Sequence, residues 1–134
     1  MQQYISKGLQ GFLLSCSPYF EEGGISTDFL VSAKKSDNFS TVKGKITKVI
    51  NSLIADCKGF KIGKSGSPKS RFSNYIGYNR MFLLCQSRCA SVIEYLEAYY
   101  TTKYLDCAKC DNINGGSASD MTVSGLYFLY VVLR

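Results

Sequence analysis

The sequence predicts a single α+β domain, a small sheet of three or more strands flanked by helices. Three observations carry this reading. The chain has 134 residues with 46% hydrophobic content, enough for one buried core and too little for two. Its apolar pattern switches several times between strand-like alternation and helical spacing. Its last apolar run, residues 125–133, is rich in aromatic and β-branched residues and apolar on both faces, as a strand in the middle of a sheet is. No internal repeat or low-complexity linker divides the chain.

Residues 11–15 and 27–32 are short apolar or alternating runs separated by Pro18 and Glu21-Glu22-Gly23-Gly24, and they read as two strands joined by a loop. Asn38 or Ser40 then caps a helix in which Val42, Ile46, Val49, Ile50, Leu53 and Ile54 recur at helical spacing, leaving Lys43, Lys45 and Lys48 for its wet side. Residues 59–63 form a short strand. Ser67-Pro68 offers a capping hydroxyl followed by a proline suited to a first helical turn, which predicts a short helix through Arg71 and Tyr75. Residues 81–85 are the next strand. A helix over about 87–104 follows, with Cys89, Val92 or Ile93, Leu96, Tyr100 and Lys103 or Tyr104 on its inward stripe. Residues 106–120, with Asn112, Asn114 and Gly115-Gly116, read as a loop before the final strand.

Sixteen basic residues against ten acidic ones give a net charge of +6 and a pI near 9.0, a balance that favours a polyanion such as nucleic acid as partner. The longest apolar run falls far short of the roughly 20 residues of a membrane helix. The start Met1-Gln2-Gln3-Tyr4 lacks the basic and apolar segments of a secretory signal. The expectation is an intracellular protein in a reducing compartment, without a membrane partner. The chain has no histidine, which excludes a Ser-His-Asp or Cys-His nucleophile pair and a zinc water held by histidines. Carboxylates, lysines and tyrosines remain as acid–base groups. The cysteines, Cys16, Cys57, Cys85, Cys89, Cys107 and Cys110, are expected as thiols or metal ligands rather than disulfides.

The stretch that carries chemistry is Lys61-Ile62-Gly63-Lys64-Ser65-Gly66-Ser67-Pro68-Lys69-Ser70-Arg71-Phe72-Ser73-Asn74-Tyr75. A strand ending in glycine, a lysine directly after it and an arginine one turn into the next helix would set two cations and helix-start amides around one anion. The Gly-x4-Gly-Lys-Ser/Thr spacing of a Walker loop is absent, and the plain alternative is a basic surface turn. The segment resembles the second motif of the GIY-YIG nuclease superfamily, in the Lys-Ile-Gly-Lys variant branch common in phages and large DNA viruses. In that branch the helix brings an arginine eight residues after the glycine, the spacing of Gly63 to Arg71. The resemblance continues in order through the strand 81–85, a helix with an inward glutamate, Glu97, and an asparagine, Asn112. It covers about residues 59–112.

The resemblance implies a GIY-YIG-like fold, a small mainly antiparallel sheet flanked by helices, in one domain 1–134 whose core is 58–134 and whose residues 1–57 extend it. It implies a metal-dependent endonuclease that hydrolyses DNA phosphodiesters with one Mg2+ or Mn2+ ion on Glu97. Arg71 would clamp the phosphate with Lys64 beside it, and Tyr75 or Tyr127 would stand near the attacking water. Lys61, Ser65, Lys69 and Asn112 would join Lys64 and Arg71 in contacting nucleic acid. Glu94 competes with Glu97 for the metal, but Glu97 lines up with Ile93, Tyr100 and Tyr104 on the inward face, whereas Glu94 lines up with Ala90 and Ala98.

Two positions depart from the family pattern. Lys61 stands where the second motif has tyrosine. The first motif, Gly-Ile-Tyr, forms the family's central strand and comes first, yet its best copy here is Gly125-Leu126-Tyr127. A circular permutation would slot the C-terminal strand between the 59–63 and 81–85 strands and present Tyr127 to the site. Alternatively, residues 11–13 or 27–32 supply the central strand and the site lacks its first tyrosine. The domain would then keep the fold without the chemistry and serve as a nucleic-acid-binding or structural subunit of a larger assembly such as a virion.

Cys85-x3-Cys89 and Cys107-x2-Cys110 have the ligand-pair spacing of a four-thiolate zinc site. Cys85 and Cys89 straddle a strand-to-helix turn, so they read first as small apolar residues. Tyr95, Tyr99, Tyr100 and Tyr104, with Tyr75 and Tyr78, offer either core or faces for base stacking beside the lysines. Lys34-Lys35 and the lysines after Val42 would widen a nucleic-acid track or form a solvated face.

Overall fold

The computed structural model describes residues 24–113 and 125–134. Within them the chain forms β1 (Ile25–Ser26), β2 (Val31–Ser32), α1 (Phe39–Ile54), β3 (Phe60–Ser65), α2 (Pro68–Phe72), β4 (Arg80–Ser87), α3 (Ala90–Lys103) and β5 (Tyr127–Leu133). The strands make one five-stranded sheet in the order β1-β4-β5-β3, with β2 pairing further along the β1 side of β4. β5 is antiparallel to β3 and to β4, while β1 and β2 are parallel to β4. The two long ladders are thus antiparallel, but the sheet as a whole is mixed, which corrects the mainly antiparallel expectation. The reason lies in the connections: α1 and α2 each sit between strands that run the same way and carry the chain back to the starting end, as parallel strands require.

β5 holds the central place between β3 and β4, one of the two alternatives left open by the sequence. Its composition explains why. Leu129 through Leu133 are all fully buried, with Leu129, Val131 and Leu133 in the larger core and Tyr130 and Val132 in a smaller cluster on the other face. Residues 27–32 do not form one strand, because a turn in which Ser26 Oγ accepts the Asp28 N–H divides β1 from β2. The strand expected at 11–15 lies outside the described residues.

The larger core lies between the sheet and the α1–α3 layer. α1 starts at Asn38, whose side chain accepts the N–H groups of Ser40 and Thr41, and it buries Val42, Ile46, Ile50 and Leu53. α3 buries Val92, Ile93, Leu96 and Tyr100. Phenols tie the two helices together. Tyr100 Oη donates to the Lys43 carbonyl at 2.8 Å, which leaves Thr47 Oγ1 to donate to it at 2.9 Å, and Tyr104 Oη donates to Asn51 Oδ1 at 2.6 Å. Lys109 Nζ donates to the carbonyls of Ile54 and Ala55 and closes the C-terminus of α1. A bulge on β4 places Leu84 between the pairs Leu83↔Tyr130 and Cys85↔Leu129, so Leu84 and Cys85 both reach the larger core.

β3 would present an open edge, and residues 109–112 cover it. Phe60 N–H donates to the Lys109 carbonyl and Asp111 N–H to the Phe60 carbonyl. The Asn112 side chain then imitates a strand: its Oδ1 accepts the Ile62 N–H and its Nδ2 donates to the Ile62 carbonyl, each at 2.9 Å. Among the described residues no helix is long and apolar enough to cross a membrane.

Candidate functional site

Of the polar residues singled out in the sequence, Lys64 and Glu97 meet beside β3 on one side of the sheet and Lys61 approaches Tyr75 on the other. Successive strand residues face opposite ways. Phe60 and Ile62 enter the larger core, Lys61 approaches Tyr75 in the smaller cluster, and Gly63 lies under Tyr130. Lys64 therefore turns back to the α1–α3 side, where its Nζ meets Glu97 Oε1 at 3.0 Å. Glu97 is 5% exposed because it lies one turn after Ile93 on the inward face of α3. Glu94 is exposed.

On the opposite side, Tyr75 and Tyr130 join their phenol oxygens at 2.6 Å, with the rings edge to face and their centroids 5.8 Å apart. Tyr130 is fully buried and stands directly across from Gly63 in the β3–β5 ladder. A methyl group on Gly63 would collide with the Tyr130 phenol oxygen and ring, so glycine is what permits this close approach. Lys61 Nζ lies 6.0 Å from the Tyr75 ring centroid.

Burial pushes both phenols above the usual tyrosine range. Their shared hydrogen bond then separates them, lowering Tyr75 and raising Tyr130. Of the two, Tyr75 is the phenol whose proton leaves more readily. The positive charge of Arg71 lowers both and the negative charge of Glu97 raises both.

The remaining residues are placed as follows. α2 ends at Phe72, so the helix does not run on through Tyr75 as the sequence suggested; a turn closed by Tyr75 N–H on the Phe72 carbonyl positions it instead. Ser67 stands at the N-cap position without a side-chain cap bond. Its N–H donates to the hydroxyl of buried Ser65, so Ser65 shapes the turn that delivers α2. Lys69 is exposed. Tyr127 packs against the larger core, on the face opposite Tyr130. It is Tyr130 that meets Tyr75. Asn112 holds the Ile62 backbone and so fixes β3.

Sequence reasoning missed Tyr130. The usable signal was parity: Tyr127 and Tyr130 are three positions apart and must face opposite ways in a strand, so only one can lie over Gly63. A second unforeseen group is the clasp in which Arg134 donates through Nε and Nη2 to both oxygens of Asp111, at 2.7 and 2.8 Å, while Tyr78 Oη donates to Asp111 Oδ2 at 2.8 Å.

The four cysteines of the zinc alternative are not brought together. Cys85 is buried in β4, where burial pushes its thiol up to about 12. Cys89 precedes α3, and Cys107 and Cys110 sit in the turn that covers the start of β3. Among the described residues, no group of three or more Cys, Asp or Glu side chains is placed to hold a metal. Glu97 fits a Mg2+ or Mn2+ ion in donor type, since such ions take one or two carboxylates and complete their shell with water and substrate phosphate oxygens. Lys64 would have to exchange the Glu97 oxygen for one on phosphate. No family model, no curated protein and no solved structure matches the chain.

Proposed function

We propose that the chain is a metal-dependent endonuclease of the GIY-YIG type that hydrolyses DNA phosphodiesters, with its first-motif strand supplied by the C-terminal β5. The observation that supports this reading is that β3 carries the Lys64–Glu97 pair on one side of the sheet and Lys61 beside the Tyr75–Tyr130 pair on the other, from elements far apart in sequence. Arg71 and Lys61 bind the phosphate oxygens, Arg71 with its planar fork. As the phenolate, a form that burial shifts to alkaline pH, Tyr75 would accept the proton of the attacking water at its phenol oxygen while Tyr130 holds that oxygen in place. Glu97 would hold a divalent ion, which when bound would neutralise the charge that develops at phosphorus. Tyr130 takes the position that the sequence assigned to Tyr127.

A second reading has its own observation. The Lys64 ammonium holds the Glu97 oxygen on which a metal would stand, and Lys61 replaces the usual tyrosine. The same surface then binds nucleic acid without cutting it, or serves a larger assembly. The deciding experiment is Mg2+- or Mn2+-dependent nicking of supercoiled plasmid by wild type, Arg71→Ala and Glu97→Ala. The endonuclease reading expects each substitution to lower the rate by about a hundredfold or more. Equal cutting by all three proteins would remove the assignment. Salt-dependent DNA binding without turnover would establish the second reading.

A further inference from the structure

We infer that the outer surface of the α1–α3 layer carries a separate stacking groove for single-stranded nucleic acid, built from Tyr95, Tyr99 and Lys103 and backed by Phe39 and Lys43. It shares no lining residue with the Arg71 site and does not depend on the activity proposed there. α3 is apolar on two faces. Beside its inward stripe, Tyr95, Ala98, Tyr99 and Thr102 recur at helical spacing and, with Lys103, line an open groove of about 400 Å3. Tyr95 is 43% exposed.

The rings in this groove are held rather than loose. Phe39 stacks on Tyr95 with centroids 5.4 Å apart and planes 24° apart, and Tyr99 stands edge-on to buried Tyr100 at 4.9 Å. Lys43 Nζ donates to Tyr95 Oη at 2.9 Å and lies 4.3 Å from the Tyr99 centroid, while Lys103 Nζ lies 6.0 Å from the same ring. No carboxylate is among the residues that line the groove. The exposed Glu94 lies beside Tyr95 in sequence but outside that lining.

Fixed aromatic surface flanked by ammonium groups and free of acid suits a ligand that is planar and anionic in alternation, as the bases and phosphates of a single strand are. A duplex hides its base faces. Charge complementarity selects the same partner, since the whole chain carries +6. Of the six tyrosines considered for stacking in the sequence, Tyr100 and Tyr104 are buried and bond to α1, and Tyr75 and Tyr78 pack against the smaller cluster on the other face of the sheet, which leaves Tyr95 and Tyr99 for this groove.

The test is fluorescence anisotropy of the full chain in metal-free buffer with labelled oligo(dT), oligo(U) and a duplex of equal length, with polyglutamate as competitor. Single strands should bind more tightly than the duplex, and the better of the two identifies the sugar. Tyr95→Ala should weaken binding about tenfold, and Lys103→Ala should reduce the log–log salt slope by about 0.7. Tyr95→Phe should bind as wild type does, showing that the ring and not a folding defect is responsible; Arg71→Ala is run alongside. The inference is overturned if wild type does not bind, if Tyr95→Ala binds equally well, if only Arg71→Ala weakens binding, or if polyglutamate competes as well as an oligonucleotide.

Discussion

The two faces of the sheet are built to different ends. On the α1–α3 face, Phe60, Ile62, Phe82, Leu84, Leu129, Val131 and Leu133 meet two long helices, and polar groups enter as phenol tips bonded to α1 and as the Lys64–Glu97 pair. On the other face, Met81, Leu83, Tyr130 and Val132 form a small cluster with Phe72, Tyr75 and Tyr78 beside a five-residue helix. The first face buries the most apolar surface and carries most of the stability. The second fixes a phenol pair among cations. One strand, β5, serves both through simple alternation, so the strand that completes the core also delivers Tyr130.

If this division holds, the largest effect on stability belongs to the first face. Phe82→Ala should cost about 3–5 kcal/mol in urea unfolding, while any nicking per folded molecule stays as in wild type. A stability loss under 1 kcal/mol would break the comparison. The next effect lies where the faces share a ladder. Gly63→Ala forces a methyl group against a fully buried ring, and overpacking of this kind costs about 1–3 kcal/mol. Because the ring that must move is Tyr130, this variant should also lose nicking at least tenfold in the folded fraction. Retention of full activity would show that the phenol pair has no part in the chemistry.

A smaller and sharper effect is expected for Tyr130→Phe, which keeps the ring and deletes one hydrogen bond, for about 1 kcal/mol of stability. The bond from Tyr130 lowers the Tyr75 pKa against the raising effect of burial, so its removal should shift Tyr75 upward. The alkaline rise of the pH–rate profile should then move to higher pH. A profile that does not move would separate the phenol pair from the proton transfer.

Much of this architecture was legible in the sequence, and the part that was not has a common cause. The double burial of residues 125–133 marked β5 as central because a run apolar on both faces has no solvent side to offer. Glu97 was legible because its helical phase with Ile93 is set by the sequence alone. Tyr130 was hidden because its partner Gly63 is chosen by the β3–β5 register, a long-range property that local pattern does not encode. Asn112 was read as a contact to nucleic acid, yet its amide completes the edge of β3, and an isolated asparagine in a loop gives no sign of which edge it will join. The parallel pairing of β1 and β2 was hidden for a related reason, since two-residue strands carry almost no periodicity.

The smallest effect concerns the clasp that ties the end of β5 to the covering segment of β3 beside the phenol face. Asp111 is held below the usual carboxylate range, first by its hydrogen bond to Arg134 and also by Tyr78. Its contribution is therefore complete above the ordinary carboxylate pKa of about 4 and disappears as pH falls through its lowered value. Tyr78, raised to about 12 first by burial and then by its bond to Asp111, has the opposite dependence. Its contribution is complete below the ordinary tyrosine pKa of about 10 and fades as pH rises toward 12. Asp111→Asn should lose the acid dependence and move the alkaline edge down toward the ordinary tyrosine range. Thermal melting from pH 2 to pH 11 would read both changes at once. If only the acid limb changed, Tyr78 would owe its shift to burial alone, and the clasp would hold the strand end without tuning the phenols beside it.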